Sequence, residues 1–153
     1  RDGEKTDIVW NNQENYISSG EGKLEQAYSR IQEELGMPVL KLNYVPTGMT
    51  FSALTIENGH ARLELDYKYS YVYVLQVYYS KENSDADFSD GEEYALVYNE
   101  WLDKNISIRR KEIQKGKFEY YAYLKVDNAH YYLQGIVEGI EFEKIVKNLN
   151  VWF

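Results

Sequence analysis

The sequence predicts an α+β domain: a twisted antiparallel sheet of about six to seven strands, in two meanders, with an N-terminal and a C-terminal helix packed on it. Most of the sixteen tyrosines fall in segments that alternate between two faces, which is typical of half-buried strands. Short turns join these segments, so parallel βαβ repeats are unsupported. Helical patterns occur only toward the two ends of the chain.

Two helices are predicted from apolar residues that recur at three- and four-residue steps. The first helix spans residues 23–35 and is terminated by the following Gly36 and Pro38. The second has one apolar side, formed by Phe142, Ile145, Val146 and Leu149. Residues 1–22 are polar and irregular, although residues 8–10 favour a short strand. We therefore expect residues 1–22 to form an extended lead-in or tether-proximal spacer and residues 23–153 to form one domain.

The first meander is centred on Asn58-Gly59, the preferred pair for a two-residue type I′ hairpin turn. This turn fixes the register of the flanking strands, and the predicted facing pairs are Ile56 with Ala61, Leu54 with Leu63, and Ser52 with Leu65. After a second turn near residues 68–70, residues 71–80 are apolar or aromatic on both faces. That pattern indicates a central strand.

The second meander follows a solvated, acidic loop at residues 81–93. Residues 105–113 alternate as a strand, and Gly116 lies in the next turn. Residues 118–127 and 130–138 flank Asn128-Ala129, and a two-residue loop there predicts the facing pairs Val126 with Tyr131, Leu124 with Leu133, and Tyr120 with Val137. The basic run Arg109, Arg110 and Lys111 is interpreted as protection of an edge strand.

Composition excludes several function classes. The net charge of −8 repels phosphate backbones, so we expect no nucleic-acid partner. The absence of cysteine excludes disulfides, thiolate zinc sites and thiol catalysis. No apolar run approaches the roughly 20 residues that span a bilayer, and no signal segment is present. Because the chain begins at Arg1, we expect a processed or truncated start, with a signal peptide or anchor upstream.

Two segments carry a family resemblance. Residues 37–49 read MPVLKLNYVPTGM, and near the end HYYLQG at residues 130–135 is followed by EFEKIVKNL at residues 141–149. Together they resemble the entry segment and the closing strand and helix of the domain of unknown function 4367 family. The resemblance covers roughly residues 37–150 and implies the extracytoplasmic part of a Gram-positive bacterial protein, tethered to the membrane outside this chain. It implies no catalytic residues.

Few residues suggest chemistry. His60 and His130 lack metal-ligand spacing and are interpreted as ordinary residues beside turns. Acidic residues around Gly91 favour a solvated loop, with loose divalent-cation binding as the alternative: Asp85, Asp87, Asp90, Glu92 and Glu93. The predicted hairpin places Glu119 opposite Glu138. Paired acids are typical of glycosidases, so an envelope hydrolase is one functional hypothesis, ranked third. We expect no cofactor and no metal.

The best candidate site is aromatic. Tyr78, Tyr121, Tyr123 and Tyr132 offer apolar rings and hydroxyls that suit sugar, peptide or lipid recognition. The alternative places them in the core, beneath a helix or the N-terminal segment. Trp101 and Trp152 are interpreted as packing residues.

The leading functional hypothesis is a non-enzymatic extracytoplasmic domain that binds a protein partner or an envelope ligand. The second is a carrier or binding module that holds an apolar or carbohydrate ligand on the tyrosine-rich sheet face.

Overall fold

The computed structural model describes residues 5–9, 20–67, 70–82 and 91–152. In chain order, the elements are β1 (Lys5–Val9), α1 (Gly20–Leu35), β2 (Val39–Leu42), β3 (Met49–Glu57), β4 (His60–Tyr67), β5 (Ser70–Ser80), β6 (Glu92–Asn99), β7 (Lys104–Gln114), β8 (Lys117–Val126), β9 (Ala129–Gly135), α2 (Gly139–Lys147) and β10 (Leu149–Trp152).

The main sheet confirms the predicted fold class. Its order is β1-β3-β4-β5-β9-β8-β7-β6, and every neighbouring pair is antiparallel. One meander contains β3, β4 and β5, and the other contains β6 to β9. They join where β5 pairs with β9, so β5 is a central strand as predicted. A separate two-stranded sheet pairs β10 with β2.

The first hairpin follows the sequence prediction except at one residue. Asn58 and Gly59 both have positive φ, at 51° and 79°, as a type I′ turn requires. The pairs nearest this turn are those predicted, but Phe51 rather than Ser52 faces Leu65. The register shifts between residues 51 and 53, which leaves Ser52 unpaired in a β-bulge. The bulge returns the bulky Phe51 to the buried face.

The predicted register of the β8–β9 hairpin is wrong by two residues. Val126 pairs with Ala129, and Leu124 pairs with Tyr131. The turn therefore lies at residues 127 and 128, and Asp127 takes the positive φ of 55°. A shift of two residues keeps every side chain on its predicted face, because strands repeat with a period of two.

One edge of the main sheet is formed by β6, which the sequence analysis did not predict as a strand. The basic run at residues 109–111 lies on β7, which pairs with strands on both sides, so the edge-protection role is wrong. Arg110 instead bonds Glu92 at 2.9 Å. Its guanidinium also lies 4.0 Å from the ring centre of Phe118, a cation–π contact.

Both helices pack on the same face of the main sheet, which we name the inner face. Helix α1 contacts β2, β3 and β4, and α2 contacts β6 and β8. Ile31 of α1 and Ile145 of α2 are completely buried. Phe142 of α2 stacks on Tyr120 of β8 with ring centres 5.7 Å apart. No helix in the described part of the chain is long and apolar enough to cross a membrane.

Three tyrosine hydroxyls attach β2 to the rest of the core. One edge of β2 pairs with β10, and its other edge meets side chains from α1, β5 and β9. Each bond engages a backbone group of residues 38–42, and the three are Tyr131 Oη to the Pro38 carbonyl (2.7 Å), Tyr79 Oη to the Leu40 carbonyl (2.6 Å), and the Leu42 amide to Tyr28 Oη (2.9 Å). These hydroxyls satisfy backbone groups that a neighbouring strand would otherwise satisfy.

A buried asparagine fixes the end of α2. Asn99 is 0% exposed and stands at the end of β6. Its amide nitrogen donates to the carbonyls of Val146 and Leu149, at 2.8 and 2.9 Å. Its carbonyl oxygen accepts from the amide of Leu102 at 2.9 Å. One side chain therefore links the edge strand, the following turn and the end of α2.

The two tryptophans assigned to packing are largely at the surface, so that interpretation is wrong. Trp101 lies in the turn after β6 with 63% of its surface exposed, and Trp152 ends β10 with 51% exposed. The ring of Trp152 still contacts a charge, because Lys41 Nζ lies 4.9 Å from its centre.

Substituting Asn99 by alanine is expected to lower the free energy of unfolding by about 3 kcal/mol, because two buried carbonyls and one partly buried amide each lose a hydrogen bond. Chemical denaturation measures this change. The matched control is Asn105→Ala on β7, where the side chain is exposed and we expect a change within about 0.5 kcal/mol. Equal effects for the two variants would contradict the role of Asn99.

Stability is expected to fall above pH 10, the ordinary pKa of tyrosine. Burial raises the pKa of Tyr79 well above that value, and burial likewise raises the pKa values of Tyr28 and Tyr131. Between the unfolded and folded pKa values the unfolded chain binds fewer protons, so the free energy of unfolding decreases as pH rises.

Each such tyrosine contributes up to about 1.4 kcal/mol per pH unit in that range. The free energy of unfolding, measured by chemical denaturation from about pH 8 upward, should therefore fall less steeply with pH for Tyr79→Phe than for the wild type. Parallel pH dependences would show that Tyr79 does not contribute.

Candidate ligand-binding face

The sheet face that points away from both helices is named the outer face. Its central part is formed by alternate residues of β4, β5, β9 and β8: Arg62, Glu64, Gln76, Tyr78, His130, Tyr132, Gln134, Glu119, Tyr121 and Tyr123. Their neighbours in sequence point to the inner face, where Tyr120 touches α2 and Tyr79 reaches β2. Strand alternation therefore separates two sets of tyrosines.

All four predicted site tyrosines lie on the outer face and next to one another. Tyr132 of β9 pairs with Tyr78 of β5 on one side and with Tyr123 of β8 on the other. Tyr121 follows along β8, opposite Gln134. The alternative that placed these residues beneath a helix is wrong, while cover by residues 10–19 lies outside the described residues.

The four tyrosines differ in exposure. Tyr123 is 37% exposed and Tyr132 only 5%, while Tyr78 and Tyr121 are half-buried. The rings of Tyr123 and Tyr132 are 4.8 Å apart, and Tyr123 also lies 6.0 Å from the nearly parallel ring of His130. Tyr132 therefore packs beside the more exposed ring of Tyr123.

His130 is a buried partner of this row. Only 6% of its surface is exposed, and its Nδ1 lies 2.7 Å from Tyr123 Oη in a hydrogen bond. The contact fixes the orientation of the Tyr123 ring. His60, the other histidine, is exposed beside the Asn58-Gly59 turn, so the structure does not bring the two histidines into one cluster.

Glu64 of β4 places a carboxylate beside the tyrosines. Tyr78 Oη donates to Gln76 Oε1 at 3.0 Å, and Gln76 Nε2 donates to Glu64 at 3.1 Å. Arg62 lies 3.5 Å from the same carboxylate. Burial raises the pKa of Tyr78, the Arg62 guanidinium opposes this rise, and nearby carboxylates add to it. The Tyr78 hydroxyl therefore stays protonated at neutral pH.

The second carboxylate is on β8. Glu119 accepts hydrogen bonds from Tyr121 Oη and from Gln134 Nε2, the latter at 3.1 Å. The predicted pairing of Glu119 with Glu138 is wrong, because Tyr120 pairs with Gly135 and Glu138 lies beyond the end of β9, at the start of α2. The sheet does not bring these two acids together.

The structure places no metal site on this face. No group of three or more histidine, aspartate or glutamate side chains within the described ranges is arranged to hold a metal ion. Asp85, Asp87 and Asp90, the candidate calcium ligands, lie outside the described residues. Glu92 pairs with Arg110.

Sequence reasoning missed the part of the outer face contributed by β6. Leu96 and Tyr98 of this edge strand are 68% and 47% exposed. Val97 between them is buried, but residues 94–98 are all apolar or aromatic, so the sequence shows no alternation that would identify a half-buried strand.

A model for a domain of unknown function (DUF4367) matches residues 39–149 of the chain, from β2 to the start of β10. The match includes every residue named above as part of the outer face. Searches of curated proteins and of solved structures found no match.

Tyrosine nitration is expected to follow the exposure order of the outer face. Tyr123 should react before Tyr132, because a reagent reaches exposed rings first. Peptide mass spectrometry after limited nitration measures this order. Tyr98 on the edge strand and the fully buried Tyr79 serve as positive and negative controls. A Tyr132 that reacts as fast as Tyr123 would contradict the arrangement described.

Proposed function

The chain belongs to the family of the domain of unknown function DUF4367, and we propose that it is a non-enzymatic binding module whose outer face holds a cell-envelope ligand. We further propose that it is the extracytoplasmic domain of a Gram-positive bacterial protein that is exported or tethered to the membrane. The sequence resemblance supports the location, and the geometry of the outer face supports the binding role.

The proposal rests on one observation: a row of tyrosines lies on the sheet face opposite the two helices of the described residues. Tyr78, Tyr132 and Tyr123 occupy neighbouring positions on three adjacent strands. Adjacent strands are about 4.8 Å apart, so three strands present a platform roughly 10 Å wide. That width suits a sugar unit or a short stretch of a polymer.

The chemistry of the face favours a glycan ligand. Tyrosine rings pack against the apolar faces of sugar rings, and their hydroxyls exchange hydrogen bonds with sugar hydroxyls. Glu64 and Glu119 flank the row and add acceptor atoms, while Gln76 and Gln134 hold these carboxylates in place. A surface ordered by such bonds before binding loses little conformational entropy when a ligand arrives.

The surroundings of the acids support binding rather than hydrolysis. Two acids that flank a scissile glycosidic bond in a hydrolase are about 5 to 10 Å apart and face each other. Glu138 is instead at the start of α2, and Glu119 is engaged by Tyr121 and Gln134. We therefore propose no catalytic role for either residue.

A second candidate function is recognition of a protein partner at the β6 edge. This strand pairs only with β7 in the described structure, and it exposes Leu96 and Tyr98. An extended peptide can add to such an edge through backbone hydrogen bonds, with exposed side chains providing specificity.

Sedimentation with purified Gram-positive peptidoglycan tests the proposal. The wild-type domain is expected to sediment with the polymer, and Tyr123→Ala is expected to weaken binding by about tenfold, because a central aromatic contact is lost. The matched control is Ile140→Ala on α2, a residue 60% exposed on the other side of the molecule.

A second variant separates the two candidate functions. Leu96→Lys changes the edge strand and leaves the tyrosine row intact, so it should sediment like the wild type. Sedimentation lost in Leu96→Lys but kept in Tyr123→Ala would transfer the binding role to the edge. No sedimentation, or equal sedimentation of every variant, would reject a glycan-binding outer face.

A further inference from the structure

A cavity of about 430 Å³ lies on the opposite side of the sheet from the tyrosine row. It opens between the first half of α1, β2 and the loop that leads to β3. Its volume falls in the lower part of the usual range for small-molecule sites, about 300–1,000 Å³. We name it the α1 cavity.

The walls of the α1 cavity combine apolar and polar side chains, the polar ones including Glu25, Tyr28 and Lys41. They come from α1, β2, β3, β4 and the loop between β2 and β3, and the apolar members are Leu24, Leu42, Val45, Met49, Phe51 and Leu65. Most of these side chains are buried, yet together they do not close the space. A cavity with such walls favours an amphipathic guest, with an apolar part against these six side chains and a polar group beside the others.

A buried hydroxyl group adds a polar feature to this cavity. Tyr28 lines the cavity and is 3% exposed. Its oxygen accepts a hydrogen bond from the Leu42 amide at 2.9 Å. Among the described residues no acceptor is placed for the hydroxyl hydrogen itself. Burial raises the pKa of Tyr28, so this hydrogen remains in place at neutral pH. A buried donor without an acceptor is costly, and a ligand oxygen would satisfy it.

A positive charge lies beside the same hydroxyl-bearing ring. Lys41 lines the cavity, and its Nζ lies 5.4 Å from the ring centre of Tyr28 and 4.9 Å from that of Trp152. The ammonium group bonds Glu25 at 3.2 Å. Glu25 also lines the cavity. It is 58% exposed, so solvent weakens its attraction for the ammonium group. An ammonium group has three donors, which leaves capacity for a ligand oxygen.

We propose that the α1 cavity binds one acyl chain, with the acyl oxygen accepting hydrogen bonds from Tyr28 Oη and Lys41 Nζ. The chain lies against Leu24, Met49 and Phe51. The volume suits a single medium-length chain rather than a two-chain lipid. This site is separate from the outer face, so it goes beyond the glycan-binding function.

Titration calorimetry with dodecanoate, below the concentration at which it forms micelles, tests this proposal. One molecule is expected to bind per chain. Lys41→Met keeps the apolar stem and removes the charge, and it should weaken binding by about tenfold, because a hydrogen bond to a charged group is lost. Methyl dodecanoate forms a second arm: binding of the acid alone indicates a free fatty acid as ligand, and binding of both indicates an acyl ester or amide.

The matched control is Lys144→Met on α2. Lys144 also contacts a glutamate, Glu141 at 3.5 Å, and a tyrosine ring, Tyr44 at 5.8 Å, but it does not line the cavity. Its substitution should leave dodecanoate binding unchanged.

Val45→Trp, which adds bulk to the cavity wall, should abolish binding while the melting transition shows a folded protein. Tyr123→Ala should bind dodecanoate normally, so failure of this proposal is distinguishable from failure of the glycan-binding role. Absence of saturable binding to the wild type, or undiminished binding to a folded Val45→Trp variant, would overturn the proposal.

Discussion

The architecture depends on how the unpaired edge of β2 is satisfied. Among the described residues, that strand has a partner strand on one side only, and its other edge meets tyrosine hydroxyls of the core. A buried backbone group without a partner costs about 1–3 kcal/mol, so three such groups would outweigh much of the gain from burying β2. Hydroxyls of Tyr28, Tyr79 and Tyr131 remove this cost. They come from α1, β5 and β9, so the position of β2 depends on contacts with all three elements.

This constraint explains part of the high tyrosine content. Phenylalanine would fill the same space at residues 79 and 131 but would leave the carbonyls of β2 unsatisfied. The next residues along each strand, Tyr78 and Tyr132, point the other way and form the centre of the outer face. Adjacent tyrosines on one strand thus point to opposite faces: the inward hydroxyls of Tyr79 and Tyr131 bond backbone carbonyls of residues 38–40, and the outward rings of Tyr78 and Tyr132 lie side by side on the outer face.

Local sequence signals predicted much of this arrangement. The Asn58-Gly59 pair predicted the first hairpin correctly near its turn, because asparagine and glycine readily adopt the positive φ that both turn positions require. The β8–β9 turn was misplaced because Asp127, rather than Asn128, starts it, and either residue type tolerates that backbone. Alternation placed the four site tyrosines on one face. The hairpin prediction already brought Tyr121, Tyr123 and Tyr132 together, but the contact with Tyr78 could not be predicted, because it requires β5 to pair with β9, which lies a meander away in the chain.

The pairing of β5 with β9 has a consequence for how the protein folds. Each meander is made of strands that follow one another in sequence, so its contacts are local and form quickly. The junction between the meanders closes a long loop, which is slow because chain entropy is lost before contacts compensate. Tyr78 and Tyr132 face each other across this junction. A ligand that spans both rings would bind only the joined form, and it would slow the separation of the two halves.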